Sequence, residues 1–200
     1  INGLPAEDYP PLPQFSQEAR VALDQKQLRV MLRRTSFAVS SDESRYVLNG
    51  IYFSLHEHKA TLVATDGRRL ALTESEADIP AESQGDFIVP TKAINELNRL
   101  LKDSGKVEMR FGENQASFTI LGENNLNTVI ISKLVEGAYP NYRQVIPAEP
   151  QERITIPREE LLHALRRAEI MTSDKSNSVK LTFAPNQVLG PDGRWHDFRE

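Results

Sequence analysis

Few residues in this sequence have the types and spacing that catalysis or metal binding requires. His56 and His58 alternate along a predicted strand, so both side chains can face one side and ligate a metal ion, but no third ligand accompanies them. Asp66 stands beside two arginines in a predicted turn, where aspartate commonly bonds to nearby backbone groups. The sequence has no cysteine, no glycine-rich phosphate loop and no nucleophile elbow. These patterns predict neither an enzyme nor a metal or cofactor site.

Basic side chains recur at helical spacing on two predicted helices, over residues 25–39 and from residue 91 to about residue 101. Each helix has an apolar stripe, which predicts its buried face, and a separate basic stripe. The net charge is −4, and most acidic residues fall on predicted strands and loops. A basic helix surface attracts phosphates without reading bases, whereas the alternative is an ordinary solvated face. The basic stripes consist of Lys26, Arg29 and Arg33 in the first helix and of Lys92, Arg99 and Lys102 in the second.

A loop predicted at residues 40–46 joins the first helix to the strand that follows. Arg45 and Tyr46, at the end of this loop, can reach a phosphate group or stack on an exposed base. The alternative is a capping loop in which the ring of Tyr46 is half buried in the core.

Composition is typical of a globular protein. The 200 residues allow one or two domains, and a hydrophobic content of 39% can form a substantial core. No apolar run is long enough to cross a bilayer, and the first residues do not resemble a signal peptide, so we expect a cytoplasmic protein. Because the sequence begins with Ile1 instead of Met, we expect a fragment of a longer protein.

An internal repeat is visible in the predicted elements. Short strands at 21–23, 87–89 and 154–156 each precede a predicted helix. The residues that open the helices are Asp24, Pro90 and Pro157, which are separated by 66 and 67 positions (90 − 24 and 157 − 90). A fixed period indicates a duplicated unit, here a strand, a helix and further strands. Those strands are predicted at 46–55, 60–65, 68–73, 107–111, 116–121, 128–133 and 178–183.

The segment 59–74, KATLVATDGRRLALTE, predicts a β-hairpin. Two apolar runs flank Asp66 and Gly67, and an Asp-Gly pair supplies the positive φ angles of a tight turn. Within this segment, ATDGRRLA (64–71) resembles the signature hairpin of the bacterial sliding clamp, the β subunit of DNA polymerase III. The segments RYVLNGIYF (45–53) and SKLVEGAYPNYRQVIP (132–147) resemble two further motifs of that family, in the same order and spacing.

The resemblance implies an α+β fold, the DNA-clamp fold, in which duplicated strand–helix–strands modules carry helices on one face of antiparallel sheets. Residues 1–15 then correspond to the end of the first clamp domain and its connector, and residues 16–147 to the second, central domain. Residues 148–187 correspond to a linker and the truncated start of the third domain. The tail, residues 188–200, does not match the family.

The resemblance also implies a function. Sliding clamps are non-catalytic processivity factors of the replicative polymerase, and they form homodimeric rings that encircle double-stranded DNA of any sequence. This fragment alone is not expected to close a ring, and no cofactor is expected. Because the clamp helices line the DNA channel, the resemblance assigns DNA contact to Lys26, Arg29, Arg33, Arg45, Tyr46, Lys92, Arg99 and Lys102.

A hydrophobic groove for partner peptides is implied as well. Motifs with Gln and a Leu/Phe pair dock there, and they occur on the polymerase catalytic subunit, the clamp loader, repair polymerases and ligase-type proteins. Plain packing of hairpin and linker is the alternative for these residues, and a peptide-binding module without a DNA role is the alternative function. Arg68 stands where many relatives have His, and Gln144 where many have a basic residue. The groove positions are Leu48, Thr65, Gly67, Arg68, Arg69, Leu70, Pro140 and Val145.

Overall fold

The computed structural model describes residues 20–122, 126–148, 153–170, 179–184, 187–189 and 195–197, together with Gly3, Pro5 and Phe15. The chain divides into two units, Ile1–Ile146 and Pro147–Glu200. The expected connector at 1–15 therefore lies almost wholly outside the described residues. None of the helices in these ranges has the length and hydropathy that crossing a bilayer requires.

The first unit contains the same module twice. Each module begins with a strand, continues directly into a helix and ends with three strands. The two helices begin 66 positions apart (91 − 25), which confirms the internal repeat. The first module comprises β1 (Val21–Asp24), α1 (Gln25–Thr35), β2 (Gly50–His56), β3 (Lys59–Thr65) and β4 (Leu70–Glu76), and the second comprises β5 (Gly85–Pro90), α2 (Thr91–Leu100), β6 (Lys106–Phe111), β7 (Gln115–Ile120) and β8 (Thr128–Lys133).

The two modules exchange their opening strands. One antiparallel sheet has the strand order β4-β3-β2-β5, and the other has the order β1-β6-β7-β8. Tyr52 of β2 pairs with Ile88 of β5, and Val21 of β1 pairs with Met109 of β6. Each helix therefore begins at the end of a strand that belongs to the other module's sheet. As a result, neither module completes its sheet without the other.

One hydrophobic core joins both sheets and both helices. The apolar faces predicted for the helices are buried, since Leu28, Met31 and Leu32 of α1 and Ile94 and Leu97 of α2 are at most 3% exposed. Burial of one face leaves most of the opposite face of each helix in solvent, and the predicted basic stripes lie there.

The two largest differences from the predicted element boundaries in the first unit, of four residues each, lie at the end of α1 and the start of β2, whereas the strand predicted at 68–73 is shifted to Leu70–Glu76. Helix α1 ends at Thr35, whose hydroxyl donates back into the last turn, and a short 3₁₀ turn, Ser36–Ala38, replaces the predicted helix end at residue 39. The strand predicted from residue 46 begins at Gly50, because Glu43–Leu48 forms a second 3₁₀ turn. Asp42 caps this turn by accepting a hydrogen bond from the backbone N–H two residues on (3.0 Å). The cap overrides the strand propensity of the Tyr-Val-Leu sequence.

The second unit contains helix α3 (Arg158–Ile170), which begins 67 positions after α2 (158 − 91). The strand predicted at 154–156 is wrong, because residues 153–157 form neither helix nor strand. Ile154 is 58% exposed, so little burial favours a strand there. The strand predicted at 178–183 overlaps the first observed strand, although residues 171–178 lie outside the described ranges. A small antiparallel sheet of order β11-β10-β9 is built from β9 (Thr182–Ala184), β10 (Gln187–Leu189) and β11 (Trp195–Asp197).

Candidate functional site

The hairpin between β3 and β4 closes through a four-residue loop, 66–69. Thr65 and Leu70 form the last pair of the ladder. Gly67 has a φ of 85°, but Asp66 has no positive φ, so the prediction of a tight turn with two positive φ angles is wrong. The longer loop is stabilised because the Asp66 carboxylate accepts hydrogen bonds from the backbone N–H groups of Arg68 (2.9 Å) and of the next residue (3.0 Å). These hydrogen bonds also lower the pKa of the Asp66 carboxyl.

Thr65 fixes the loop from its other side. Its buried hydroxyl donates to the carbonyl oxygen of Arg69 (2.7 Å) and accepts from the N–H of Gly67 (3.1 Å). Arg69 Nε donates in turn to Asp66 Oδ2 (3.1 Å). Side chains thus satisfy backbone groups of the loop, which presents the exposed Arg68 at its tip.

The 3₁₀ turn Glu43–Leu48 contacts this loop. The Arg45 guanidinium lies against Gly67, and its Nη1 is 3.4 Å from the carbonyl oxygen of Asp66, to which it donates. Tyr46 of the same turn is 59% exposed. The structure therefore brings together Arg45, predicted to contact DNA, and Gly67, predicted to line the partner groove.

An exposed aromatic ring beside the loop was missed by sequence reasoning. Phe37 lies in the 3₁₀ turn that follows α1 and is 59% exposed. The Arg69 guanidinium lies over this ring, 5.8 Å from its centroid, which is within the range of a cation–π contact. Sequence offered no signal for this residue, because an isolated Phe after an amphipathic helix usually enters the core.

A segment that we call the strap, residues 134–142, is tied to three strands of the first sheet. Val135 N donates to the carbonyl oxygen of Ile88 in β5 (2.9 Å). The ring of Tyr139 stacks on Tyr52 of β2 with centroids 4.9 Å apart. The Tyr139 hydroxyl donates to the carbonyl oxygen of Val63 in β3 at 3.5 Å. Burial of Tyr139 raises the pKa of its hydroxyl to about 12.

The predicted groove residues come from the 3₁₀ turn, the hairpin, the strap and the short 3₁₀ turn Tyr142–Gln144. The described contacts join the hairpin to the first of these turns and the strap to the sheet. Val145 follows the last turn and is 68% exposed. Leu48 and Thr65 are buried, Leu70 is half-buried, and Gly67, Arg68, Arg69, Pro140 and Val145 are exposed.

The basic residues predicted on the two helices differ in how far their charge is neutralised. Arg29 is half-buried, and its Nη1 donates to Asp103 Oδ1 (2.7 Å). Arg99 Nη2 donates to Glu96 Oε2 (2.5 Å), one turn earlier on α2. Four exposed basic side chains of the stripes form no ion pair with any described residue, and they remain available to an anion: Lys26, Arg33, Lys92 and Lys102.

Gln25 links the start of α1 to the loop after α2. Its side chain is buried, its Nε2 donates to the carbonyl oxygens of Lys106 (3.3 Å) and Leu121 (3.2 Å), and its Oε1 accepts from the N–H of Lys102 (3.0 Å). Gly105 has a φ of 90°, and a Cβ there would lie 2.8 Å from Gln25 Nε2. Gln25 thereby holds Lys102 beside α1. Sequence reasoning missed this role, because a polar residue in a first helical turn is usually exposed.

His56 and His58 do not lie on one strand. His56 ends β2, and its Nε2 lies 3.1 Å from Asp86 Oδ1 of β5. His58 belongs to the turn before β3, where Glu57 has a φ of 55°, so the predicted alternation is wrong. Across the described ranges, no three His, Cys, Asp or Glu side chains are placed to hold a metal ion.

These features are suited to binding. The hairpin loop presents cations beside exposed aromatic rings, and two helices of one core present further cations.

The duplicated modules with exchanged strands form an α+β DNA-clamp fold, which confirms the predicted fold class. Residues 22–141 match the family model of the DNA polymerase III beta subunit, central domain, and residues 143–189 match the model of its C-terminal domain. The chain belongs to the bacterial β sliding clamp family, as the three motifs had indicated.

Curated relatives and solved structures agree with this assignment. The beta sliding clamp of Chlamydia pneumoniae is 36% identical over 182 residues, which cover 91% of this chain and 48% of that protein. The Bacillus subtilis clamp is 32% identical over 191 residues, which cover 94% of this chain and 49% of that protein. The chain therefore spans about half the length of the curated relatives it matches. The Bartonella birtlesii clamp bound to griselimycin superposes with a TM-score of 0.81 at 33% identity, covering 97% of this chain and 53% of that one. The Bacillus subtilis crystal structure gives a TM-score of 0.83 at 30% identity, with coverage of 98% and 52%.

Proposed function

We propose that this chain is part of a DNA sliding clamp, a non-catalytic processivity factor of the bacterial replicative polymerase. The observation that carries the proposal is the match of residues 22–141 to the central clamp domain, together with a duplicated fold whose two helices expose basic residues. The mechanism is topological, because enclosure of the duplex retains the polymerase while weak contacts allow sliding.

DNA contact is assigned to the exposed side of α1 and α2 and to Lys102, which was predicted on the second helix but follows its end at Leu100. Lys26, Arg33, Lys92 and Lys102 supply exposed charges without a carboxylate partner among the described residues. Arg29 and Arg99 carry bound carboxylates, so they contribute less positive potential. Contacts of this kind reach phosphates and not base edges, so binding is independent of sequence and weakens with salt. Arg45 and Tyr46 extend the surface from the 3₁₀ turn.

Partner proteins are proposed to dock through a groove at the hairpin. The polymerase catalytic subunit, the clamp loader, repair polymerases and ligase-type proteins would each insert a short motif with apolar side chains. Structures of the Bartonella birtlesii and Pseudomonas aeruginosa clamps hold griselimycin, so members of the family bind a ligand other than DNA. The hairpin loop of this chain suits such a role, because Thr65 and Asp66 fix it by hydrogen bonds before any partner arrives.

The proposed domain organisation follows the family. Residues 1–15 would end the first clamp domain, residues 16–147 would form the second, and residues 148–187 would open the third, with 188–200 as a tail. The parent protein would be a homodimeric ring in the bacterial cytoplasm, where the chromosome is replicated. The described ranges contain no helix suited to crossing a membrane.

A second candidate function is a peptide-binding module without a DNA role. The ion pairs of Arg29 with Asp103 and of Arg99 with Glu96 favour it, because they neutralise two of the six residues in the predicted basic stripes. The two candidates differ in one outcome, which is whether the chain binds duplex DNA through α1 and α2.

The groove is tested by NMR shift mapping with a synthetic peptide that carries Gln and a Leu/Phe pair. Burial of one Leu or Phe side chain contributes about 1.5–3 kcal/mol, and the entropic cost of docking a flexible peptide opposes it, so we expect weak binding with a Kd of about 1 mM or higher. Shifts should appear first at Gly67, Leu70 and Val145, and Leu70→Ala should abolish them. Leu72→Ala, a matched truncation on the same strand, should leave them unchanged. Shifts that cluster on α1 and α2, or normal binding by Leu70→Ala, would contradict the groove assignment.

A further inference from the structure

Val63 is fully buried on a side of its sheet that does not face the core. Strand β3 alternates, and its neighbours Leu62 and Ala64 belong to the hydrophobic core, whereas Val63 does not. Tyr52, Val63 and Leu72 lie opposite one another on β2, β3 and β4, so they share the side that faces away from the core. Leu72 is 37% exposed there, but Val63 is 0% exposed. Something other than the core must cover Val63.

The strap provides a ring and a hydroxyl at this position. Tyr139 of the strap stacks on Tyr52, and Tyr52 lies directly opposite Val63 in the strand register. The Tyr139 hydroxyl donates to the Val63 carbonyl oxygen at 3.5 Å. Tyr142 also contacts Tyr52, with ring centroids 5.9 Å apart and the planes tilted by 56°. Tyr52 is thus the one residue of the sheet whose ring meets both tyrosines among the described ring contacts.

The same strap carries or adjoins the apolar residues proposed for the partner groove. Pro140 directly follows Tyr139, and Val145 caps the 3₁₀ turn that Tyr142 opens. Earlier in the strap, Gly137 has a φ of 115° and packs against Val47, which directly precedes the groove residue Leu48. The position of this groove wall therefore depends on how the strap is held to the sheet.

We propose that Tyr52 is a positioning residue for partner binding, whose ring anchors the strap and thereby sets the groove wall formed by Pro140 and Val145. This inference rests on the proposed peptide groove. Tyr52 itself lies on the strand behind the strap, so it acts through Tyr139 and Tyr142 and does not touch the peptide. Its ring, and not its hydroxyl, makes the contacts that matter.

The test compares peptide affinity by NMR titration for the wild-type chain, Tyr52→Ala, Tyr52→Phe and the control Leu72→Ala. Stacked aromatic pairs account for about a two- to tenfold change in an equilibrium constant, so Tyr52→Ala should weaken binding by about that factor. Tyr52→Phe keeps the ring and should restore wild-type affinity. Leu72→Ala removes a side chain from the same row of the sheet and should leave the affinity unchanged.

The outcomes separate a failure of the proposed groove from a failure of the role assigned to Tyr52. If the wild-type chain binds no peptide, the proposed groove fails, whatever Tyr52 does. If the wild-type chain binds and Tyr52→Ala binds equally well, the positioning role is wrong. Equal weakening by Tyr52→Phe or by Leu72→Ala would also overturn it, since a ring anchor predicts neither. Should Tyr52→Ala fail to fold, Tyr139→Leu removes the same stack from the strap side and must show the same weakening.

Discussion

The guanidinium of Arg45 packs against Gly67: a Cβ added at Gly67 would lie 2.8 Å from Arg45 Nη1, which also donates to the Asp66 carbonyl oxygen. This contact joins the 3₁₀ turn after α1 to the tip of the β3–β4 hairpin. Because the two segments are 21 positions apart in sequence, the contact is a product of the fold. A movement of the hairpin on partner binding would therefore displace the 3₁₀ turn that also carries Tyr46.

Replacing Gly67 with alanine should destabilise the hairpin. The φ of 85° costs an L-residue about 1–2 kcal/mol, and the added methyl group would displace the Arg45 guanidinium. The matched control is Gly112→Ala in the β6–β7 loop, where φ is not positive and no atom lies within 4 Å of the new methyl group. Urea unfolding should show a lower midpoint for Gly67→Ala only. Equal midpoints for the two variants would contradict the role assigned to Gly67.

Loss of the Gln25 amide should cost more than its place in a first helical turn suggests. Gln25→Ala leaves the Leu121 carbonyl oxygen and the Lys102 N–H without this side-chain partner, and each such loss costs about 1–3 kcal/mol. The Lys106 carbonyl oxygen still accepts from the N–H of Leu121 (3.0 Å). We expect a net loss of about 2–4 kcal/mol in the free energy of unfolding, after water replaces part of the bonding. The neighbouring exposed residue provides the control, since Lys26→Ala should stay within about 0.5 kcal/mol of wild type. A neutral Gln25→Ala would show that the bridge to residues 102–121 contributes nothing.

Alkaline pH should destabilise the domain through Tyr52 and Tyr139. Burial raises the pKa of both hydroxyls from 10.0 to about 12, with a further contribution from the nearby Asp86 carboxylate at Tyr52. Since the folded state holds these protons more tightly than the unfolded state, their contribution is full below pH 10 and is lost as the pH rises towards 12. Tyr52→Phe removes one of the two groups, so its stability should fall less between about pH 8 and about pH 11 than that of wild type. Identical losses of stability in wild type and Tyr52→Phe would contradict a contribution of the Tyr52 hydroxyl to the pH dependence.

Sequence periodicity predicted the local elements well. The helix starts, the buried faces of α1 and α2 and most strands of the first unit follow from apolar spacing, which is a short-range property. The three motifs were sufficient to identify the family and its fold.

Long-range relationships were not predictable in the same way. The exchange of β1 and β5 between sheets depends on pairings such as Val21 with Met109, which leave no periodic trace. Arg29 appeared as a free cation because its partner Asp103 lies 74 positions away. The turn at Asp66 was misjudged because side-chain bonds from Thr65 and Asp66 stabilise a longer loop than the Asp-Gly pair alone favours. Assignment of the cations to DNA and of the hairpin to partner peptides stays a prediction.

Sequence-independent binding of duplex DNA through α1 and α2 is the central claim, and it is tested most directly by affinity as a function of salt. Affinity for one arbitrary duplex is measured between about 50 and 200 mM salt. The proteins are the wild-type chain, Arg33→Glu with Lys92→Glu, and the control Arg110→Glu with Lys133→Glu on strands β6 and β8. Both double variants change the net charge equally. Each lost phosphate contact lowers the slope of log affinity against log salt by about 0.9, so the helix variant should lose about 1.8 and the strand variant almost nothing. Equal curves for wild type and the helix variant, or equal losses in both double variants, would contradict a DNA-binding role for these helices.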